Sequence, residues 1–327
     1  MLVLSGEEVE ALLDLDALID ALATAMADLS SGRASVPDRI AAEVPGAGLV
    51  AAMPGHVPSA GALVAKLVSL FPGNAARGVP THQALIVAFD QHTGTPIAVL
   101  DGTHITAMRT GACSALSARL LAREDAATLA ILGTGVQARS HARTVPRVRP
   151  IREIRIAGRD IGRARAVADE VAADLDADVR AVGSYAEALA GADIACATTH
   201  AIEPVVRRAW LDPGTHVTSV GFNVHGREID DDTVADALIC VESRRTVLAP
   251  APAGSPDLTE PIERGVITAD DIHAELGELV AGAKPGRTAD EQITLYKSVG
   301  VAAQDAAAAA LVIEAARSRG AGHEIGL

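Results

Sequence analysis

Three features of this 327-residue chain could do chemistry, and each is set in apolar sequence. The first is Gly133-Thr134-Gly135-Val136-Gln137-Ala138, which follows the apolar run Leu129–Leu132. This is the G-x-G-x-x-A form of a dinucleotide fingerprint, placed after a strand and before a helix. Gly133 permits the tight turn, Gly135 lets the backbone approach a pyrophosphate, and Ala138 lets the helix pack close to the sheet. The N–H groups of Val136, Gln137 and Ala138 then face the phosphates, with the helix dipole behind them. The second feature is Lys66, one of only three lysines, in the middle of the apolar stretch 61–71. A buried ammonium has to be paired. The third is Arg109, near the start of a helix read over 106–122. A guanidinium there opposes the helix dipole and calls for an anion.

The elements that would position these residues follow from periodicity. Leu2 and its neighbours open the chain as a strand, and Ser5 with Glu8 forms a capping box before a first helix. A further helix covers 15–29. Strands are expected at 36–40, 48–54, 61–71, 83–90 and 96–100, the last two as an antiparallel hairpin around Gly94. Beyond the glycine turn, strand 153–157 and helix 162–175 complete a βα pair. Alternation continues with strands 179–182, 193–198, 215–220 and 238–241, and helices 184–190 and 230–237. Helices at 270–279 and 302–317 close the chain. Such βα alternation predicts an α/β protein with a doubly wound parallel sheet. The end of the second strand reads the adenosine ribose. Here Gly158 is followed by Arg159, whose planar fork suits a 2′-phosphate. NADP(H) is therefore favoured, and Asp160 keeps NAD(H) as the alternative.

Composition narrows the class. A net charge of −14 argues against nucleic acid or an anionic membrane as partner. Hydrophobic residues make up 49% and aromatics 2%, so the core must be built from Ala, Val, Leu and Ile. Cys113, Cys196 and Cys240 lie far apart, which suggests neither a disulfide framework nor a metal site. No basic n-region precedes Glu7, Glu8 and Glu10, and no apolar run reaches membrane-spanning length, so a cytoplasmic location is expected.

Six segments, in order, carry a resemblance: "VPDRI" (36–40), "GALVAKLVSLFPGN" (61–74), "GVPTHQALIVAFDQHTGTPIAVLDGTHITAMRTGACSALSARLLAR" (78–123), "ILGTGVQA" (131–138), "GTHVTSVGFN" (214–223) and "EQITLYKSVGVAAQDAAAA" (291–309). Together they resemble the ornithine cyclodeaminase/mu-crystallin family over nearly the whole chain. The resemblance implies a homodimer. It also implies a Rossmann-type NAD(P)-binding domain, 122–301, inserted into a discontinuous α+β substrate-binding and dimerisation domain, 1–121 plus 302–327. Arg39, Lys66 and Arg109 match the family's substrate-carboxylate binders, in keeping with cations in apolar surroundings that need an anion. Thr81, Arg109 and Thr110 match positions near the cofactor, and Lys297 and Ser298 lie in the stretch that meets the nicotinamide side. Thr198 and Val220, which close two later strands, are assigned to the cofactor site as well.

One departure from the family bears on activity. Cyclodeaminases carry an aspartate in a G-G-D-x-P-G-K pattern after the strand ending at Val220. Here the segment reads Gly221-Phe222-Asn223-Val224-His225-Gly226, without the aspartate or the proline. An amide cannot take a proton or balance an ammonium. Lys66, Asn223 and His225 are the catalytic candidates, with His82 a further histidine for proton transfer. The function expected is NAD(P)-dependent hydride transfer at the Cα of a small amino acid or cyclic imino acid, as in a ketimine or Δ1-pyrroline-2-carboxylate reductase or an alanine dehydrogenase. The alternatives are a lyase, converting ornithine to proline on a bound NAD, and a non-catalytic binder of mu-crystallin type.

Overall fold

A computed structural model describes residues 1–223, 225–250 and 253–326. The chain opens with β1 (Leu2–Leu4), α1 (Gly6–Leu12), α2 (Leu15–Ser30), β2 (Ile40–Val44), β3 (Gly48–Val57), β4 (Ala62–Leu70), β5 (His82–Phe89), β6 (Pro96–Asp101) and α3 (Gly102–Leu121). There follow β7 (Thr128–Leu132), α4 (Val136–Thr144), β8 (Glu153–Ala157), α5 (Ile161–Ala172), β9 (Asp178–Ala181), α6 (Tyr185–Leu189), β10 (Ile194–Ala197) and β11 (His216–Ser219). Then come α7 (Asp231–Asp236), β12 (Leu238–Val241), α8 (Arg244–Val247), α9 (Pro256–Glu263), β13 (Ile272–Glu275), α10 (Leu276–Val280), β14 (Thr294–Lys297), α11 (Ala302–Arg319) and β15 (His323–Glu324). By its internal contacts the chain divides into two compact units, Met1–Arg109 with Val301–Leu327, and Thr110–Gly300. The division falls within α3, between Arg109 and Thr110.

The discontinuous unit is built on a seven-stranded sheet of order β15-β1-β6-β5-β4-β3-β2. Side chains alternate across it, as the pleat requires. Met53, Lys66 and Ile86 are cross-strand neighbours on the buried face. α11 lies on β3 and β4 and packs against α2. A Cβ on Gly55 would come within 3.0 Å of the Ala302 Cβ, so glycine and alanine are what let the helix sit this close. The opposite face is open. Ile40, Val44, Val50, Leu67 and Leu85 share it, each at least 41% exposed.

The continuous unit is an eight-stranded sheet, all parallel, of order β13-β12-β14-β11-β10-β7-β8-β9. From β7 the chain runs through β8 and β9 on one side, then returns to β10 and β11 on the other. The switch point between β7 and β10 is where such sheets bind ligands, at the carboxyl ends of the strands. The expected α/β, Rossmann-type fold class is the one observed. Among the described residues no helix is long and apolar enough to cross a membrane.

Several local expectations change. Residues 36–39 are irregular rather than a strand, because Pro37 offers no N–H to a ladder, and β2 begins only at Ile40. α3 starts at Gly102, where the Asp101 carboxylate accepts the His104 N–H at 2.8 Å. Arg109 therefore sits two turns into the helix, and opposition to the dipole is not what makes it call for an anion. The helix expected at 270–279 is instead a 3-10 turn, β13 and the short α10, since Ile272 and Ala274 are buried with a period of two. α9 was not foreseen; Pro256 begins it, the first-turn position where a missing N–H costs nothing.

Candidate functional site

The glycine turn lies at the carboxyl end of β7. Gly133 has φ of 130°, and a Cβ there would come within 2.5 Å of Thr198 Oγ1, so a side chain is excluded on two counts. Thr198, just beyond β10, donates its hydroxyl to Leu132 O at 2.9 Å and so ties the two strand ends at the switch point. Gly135 caps α4 and has nothing within 4 Å of where its Cβ would be. Val136 is 63% exposed, and Ala138 is fully buried against the sheet side. Gln137 turns inward, accepting the Ser140 hydroxyl at 3.1 Å. Arg139, which the sequence reading passed over, donates from Nη1 to the carbonyls of Thr134 and Gly135, both at 3.2 Å, and from Nε to Glu170 at 2.7 Å. Arg139 thus occupies the carbonyls of Thr134 and Gly135, while the Gly133 N–H donates to Ala157 O at 2.8 Å. An open cradle with no Cβ at a helix N-terminus fits a dinucleotide pyrophosphate.

At the end of β8, a Cβ on Gly158 would lie 2.6 Å from Thr134 Cγ2, so this turn packs directly on the glycine loop. Arg159 is exposed beside it. Asp160 is the N-cap of α5, its Oδ1 accepting the N–H groups of Gly162 at 2.8 Å and Arg163 at 3.2 Å. One oxygen of that carboxylate is thus occupied by capping.

Lys297, in the stretch expected to meet the nicotinamide side, anchors its surroundings. Its fully buried ammonium lies 2.9 Å from Ser219 Oγ, 2.8 Å from Gly221 O and 2.8 Å from Asp257 Oδ2, which uses all three of its protons. Asp257 in turn accepts the N–H groups of Glu228 and Ile229. Glu228 is fully buried and receives the Thr199 and Ser219 hydroxyls and the Gly221 N–H, at 2.7–2.8 Å. Burial pushes its carboxyl above the usual range, against the pull of Lys297. Ser298 donates its N–H to Ser219 O at 3.0 Å, and Val220 donates its own to Ala197 O at 3.1 Å. This network pins both ends of the segment 219–228. Within it, Asn223 Nδ2 donates to His200 O at 3.1 Å while its Oδ1 accepts the His225 N–H at 3.0 Å. His225 itself is exposed, and Val224 lies outside the described residues. Asn223 and His225 are thus tied to each other.

The discontinuous unit holds the cations. Lys66 projects from β4 and Arg109 from α3, and both meet Asp305 in the first turn of α11. Lys66 Nζ is 3.0 Å from Asp305 Oδ1 and 2.8 Å from Oδ2; Arg109 Nε is 3.2 Å from Oδ1. Gln304 Oε1 accepts from Arg109 Nη1 at 2.6 Å. Lys66, Arg109, Gln304 and Asp305 are all at most 5% exposed. Burial first, with Arg109 and Arg39, lowers the Lys66 ammonium to about 8, against the opposing pull of Asp305. Burial acts to raise the Asp305 carboxyl, but Lys66 and Arg109 outweigh it and hold it below its ordinary range. Arg39, in the irregular segment before β2, is half-buried. His82, on β5, is lowered to about 4, by burial first and then by Lys66 and Arg109. It is neutral at pH 7 and is no proton donor there. Thr110 is buried next to Arg109 on α3, and Thr81 is exposed, its carbonyl accepting the Phe71 N–H at 2.9 Å. Neither Asp305 nor Gln304 was singled out from sequence. Their signal was available: a polar pair inside the alanine run "AAQDAAAAA".

Two sites thus lie on one chain: a dinucleotide cradle at a switch point, and a buried cluster with more positive than negative charge. The model of the ornithine cyclodeaminase/mu-crystallin family matches residues 1–320. The chain belongs to this family. Ketimine reductase mu-crystallin of Mus musculus is 37% identical over 317 residues, 95% of this chain and 96% of that protein. The structure of Thermococcus litoralis Δ1-pyrroline-2-carboxylate reductase in complex with NADH and L-proline matches with a TM-score of 0.95 and 39% identity, covering 99% of this chain and all of that one. An archaeal alanine dehydrogenase dimer with bound NAD matches with a TM-score of 0.92 and 32% identity, covering 100% and 99%.

Replacing Lys66 by Met keeps the length of the side chain and removes its charge. Lys66→Met is expected to lower kcat/KM for an imino acid at least about 10²-fold, the loss of a charge-assisted pair in a buried site. Binding of NAD(P)H, followed by fluorescence titration, should stay within about twofold of the parent. Loss of cofactor binding, or retained turnover, would show that Lys66 is structural.

Proposed function

We propose that this protein reduces a small cyclic or N-substituted imino acid at Cα, with NADPH as preferred hydride donor. It is a nicotinamide-dependent oxidoreductase moving hydride between cofactor and the Cα of a small amino or imino acid. The observation that carries the finer reading is the Lys66–Asp305–Arg109 cluster. One internal carboxylate serves two buried cations, with Arg39 close by, so an apolar setting is left positive. A second anion completes it, and the carboxylate of an amino or imino acid is an anion of the right size, well suited to arginine's fork.

The nicotinamide, when bound, supplies the hydride; the chain's own groups hold the substrate and manage one proton. Arg109 and Lys66 anchor the carboxylate, and that positioning removes much of the entropic barrier. With His82 neutral, Lys66 is the acid of the cluster whose pKa lies near the working pH, which is where general acids are efficient. Cyclodeamination asks for a carboxylate to hold the substrate amine through oxidation and ammonia loss. Asn223 offers a neutral amide already engaged with His200 and His225. In a spectrophotometric screen, the protein is expected to consume NADPH with Δ1-pyrroline-2-carboxylate, Δ1-piperideine-2-carboxylate, or pyruvate plus methylamine. It should release negligible ammonia from ornithine. Robust NAD-stimulated proline formation from ornithine would overturn the reading in favour of the lyase, and neither activity would favour a binder.

NADPH preference is supported by Arg159 and by the capping role of Asp160. Arg159→Ala is expected to raise KM for NADPH about tenfold or more, the value of a charge-assisted pair, and to leave KM for NADH nearly unchanged. Equal effects on both cofactors would remove Arg159 from the ribose site.

A homodimer is supported by the open sheet face of Ile40, Val44, Val50, Leu67 and Leu85, since apolar side chains gathered on one exposed face mark an interaction surface. The alanine dehydrogenase neighbour is itself a dimer. A cytoplasmic location agrees with three separate, buried free thiols. Light scattering should give the mass of two chains for the parent and of one for Leu67→Glu/Leu85→Glu, with NADPH binding retained. A monomeric parent would dismiss the dimer.

A further inference from the structure

We propose that Asp305 is a positioning residue of the reductive step, which keeps the Lys66 ammonium charged and oriented so that Lys66 can protonate the imine nitrogen. The inference rests on the reading of the protein as an imino-acid reductase. Its basis is geometric. The Asp305 carboxylate is wholly buried, and its partners come from two other elements, Lys66 on β4 and Arg109 on α3. Gln304, the preceding residue, takes Arg109 Nη1. The first turn of α11 therefore presents two consecutive acceptors that fix both cations against one another. Asp305 sits where the helix dipole favours an anion. It does not touch the carboxylate it helps to bind. It acts through Lys66 and Arg109.

In an α-imino acid the carboxylate is borne by the imine carbon, so a cation that grips the carboxylate lies within reach of the nitrogen. A neutral C=N accepts a proton from Lys66 Nζ, giving an iminium and a neutral lysine amine. The Cα then takes a hydride and its electron pair from the reduced nicotinamide, forming the Cα–H bond. The product is the amine and the oxidised cofactor, and Lys66 recovers its proton from solvent. For this to run near neutral pH, Lys66 must be protonated in an apolar setting. Four ionisable groups face it: Asp305 from α11, Arg109 from α3, Arg39 from the segment before β2, and His82 from β5. Both arginines are cationic and His82 is neutral, so Asp305 is the counter-charge among them.

The test is the pH profile of kcat/KM for Δ1-pyrroline-2-carboxylate with saturating NADPH. The parent should lose activity above about pH 8, where Lys66 deprotonates. In Asp305→Asn the alkaline limb should move down by at least about one pH unit, with a loss of about twofold or more at pH 7 and about fivefold or more at pH 8 that is largely recovered by pH 6. Asp305→Glu, which keeps the charge, should keep the limb in place. The substrate's own titration is common to all variants and cancels in the comparison. A uniform loss in Asp305→Asn with the limb unmoved would overturn the proposal, as would a limb displaced equally in Asp305→Glu. If Asp305→Asn does not accumulate as a NADPH-binding protein, Asp305→Ser takes its place. Formate is then expected to restore the limb toward pH 8, and failure to do so would count against the proposal. If the parent turns over no imino acid, the reading of its function has failed, and calorimetric binding of pyrrole-2-carboxylate against pH tests Asp305 by itself. The same acid-ward shift in Asp305→Asn supports its role, and superimposable binding profiles overturn it.

Discussion

The discontinuous unit is organised by one buried carboxylate. Asp305 is separated from Lys66 by 239 residues and from Arg109 by 196, yet it binds both. Taking charges out of water costs several kcal/mol per ion, and only close pairing repays it. Removing one partner from such a pair typically costs about 3–5 kcal/mol, because the other charge is left buried alone. The C-terminal helix therefore has to return to the N-terminal sheet. Its alanine-rich face and Gly55 let it come near enough for the ion pairs to form.

A second buried charge network, in the continuous unit, makes an instructive contrast. Lys297 gives its three protons to Ser219, Gly221 and Asp257, and Glu228 and Asp257 accept backbone and hydroxyl donors around them. That network is locally complete. What it provides is a fixed course for the segment after β11, at the carboxyl ends of the parallel strands where a cofactor-binding sheet places its chemistry. The cluster around Lys66 is arranged differently, with cations in excess of its single internal anion. Burial is equally severe in both, and the stoichiometry of charge is what sets them apart.

The cofactor cradle follows the same logic of satisfied and unsatisfied groups. Arg139 takes the carbonyls of the glycine loop, Thr198 ties β10 to β7, and Asp160 spends its carboxylate on the first turn of α5. The α4 N-terminus at Gly135 and Val136 and the Arg159 side chain are left exposed. The former suits the pyrophosphate of a dinucleotide.

Local pattern was enough for much of this. The G-x-G-x-x-A turn, the βα alternation, the β5–β6 hairpin and the Ser5–Glu8 capping box were legible, because each depends on residues within a few positions of one another. So was the oddity of Lys66, since an ammonium in an apolar strand demands a partner wherever the strand lies. The identity of that partner was not legible. Asp305 and Lys66 meet only because α11 crosses β4, and no periodicity in "AAQDAAAAA" names the strand beneath it. The same limit applies to Lys297, a cation in an apolar strand whose sequence setting looks like that of Lys66. Only the positions of Ser219, Gly221 and Asp257 reveal that its hydrogen bonds are already used. Sequence determined which elements form and which charges would have to be buried; tertiary structure decided which of those charges were balanced, because electrostatic balance depends on distances of a few ångströms between groups hundreds of residues apart.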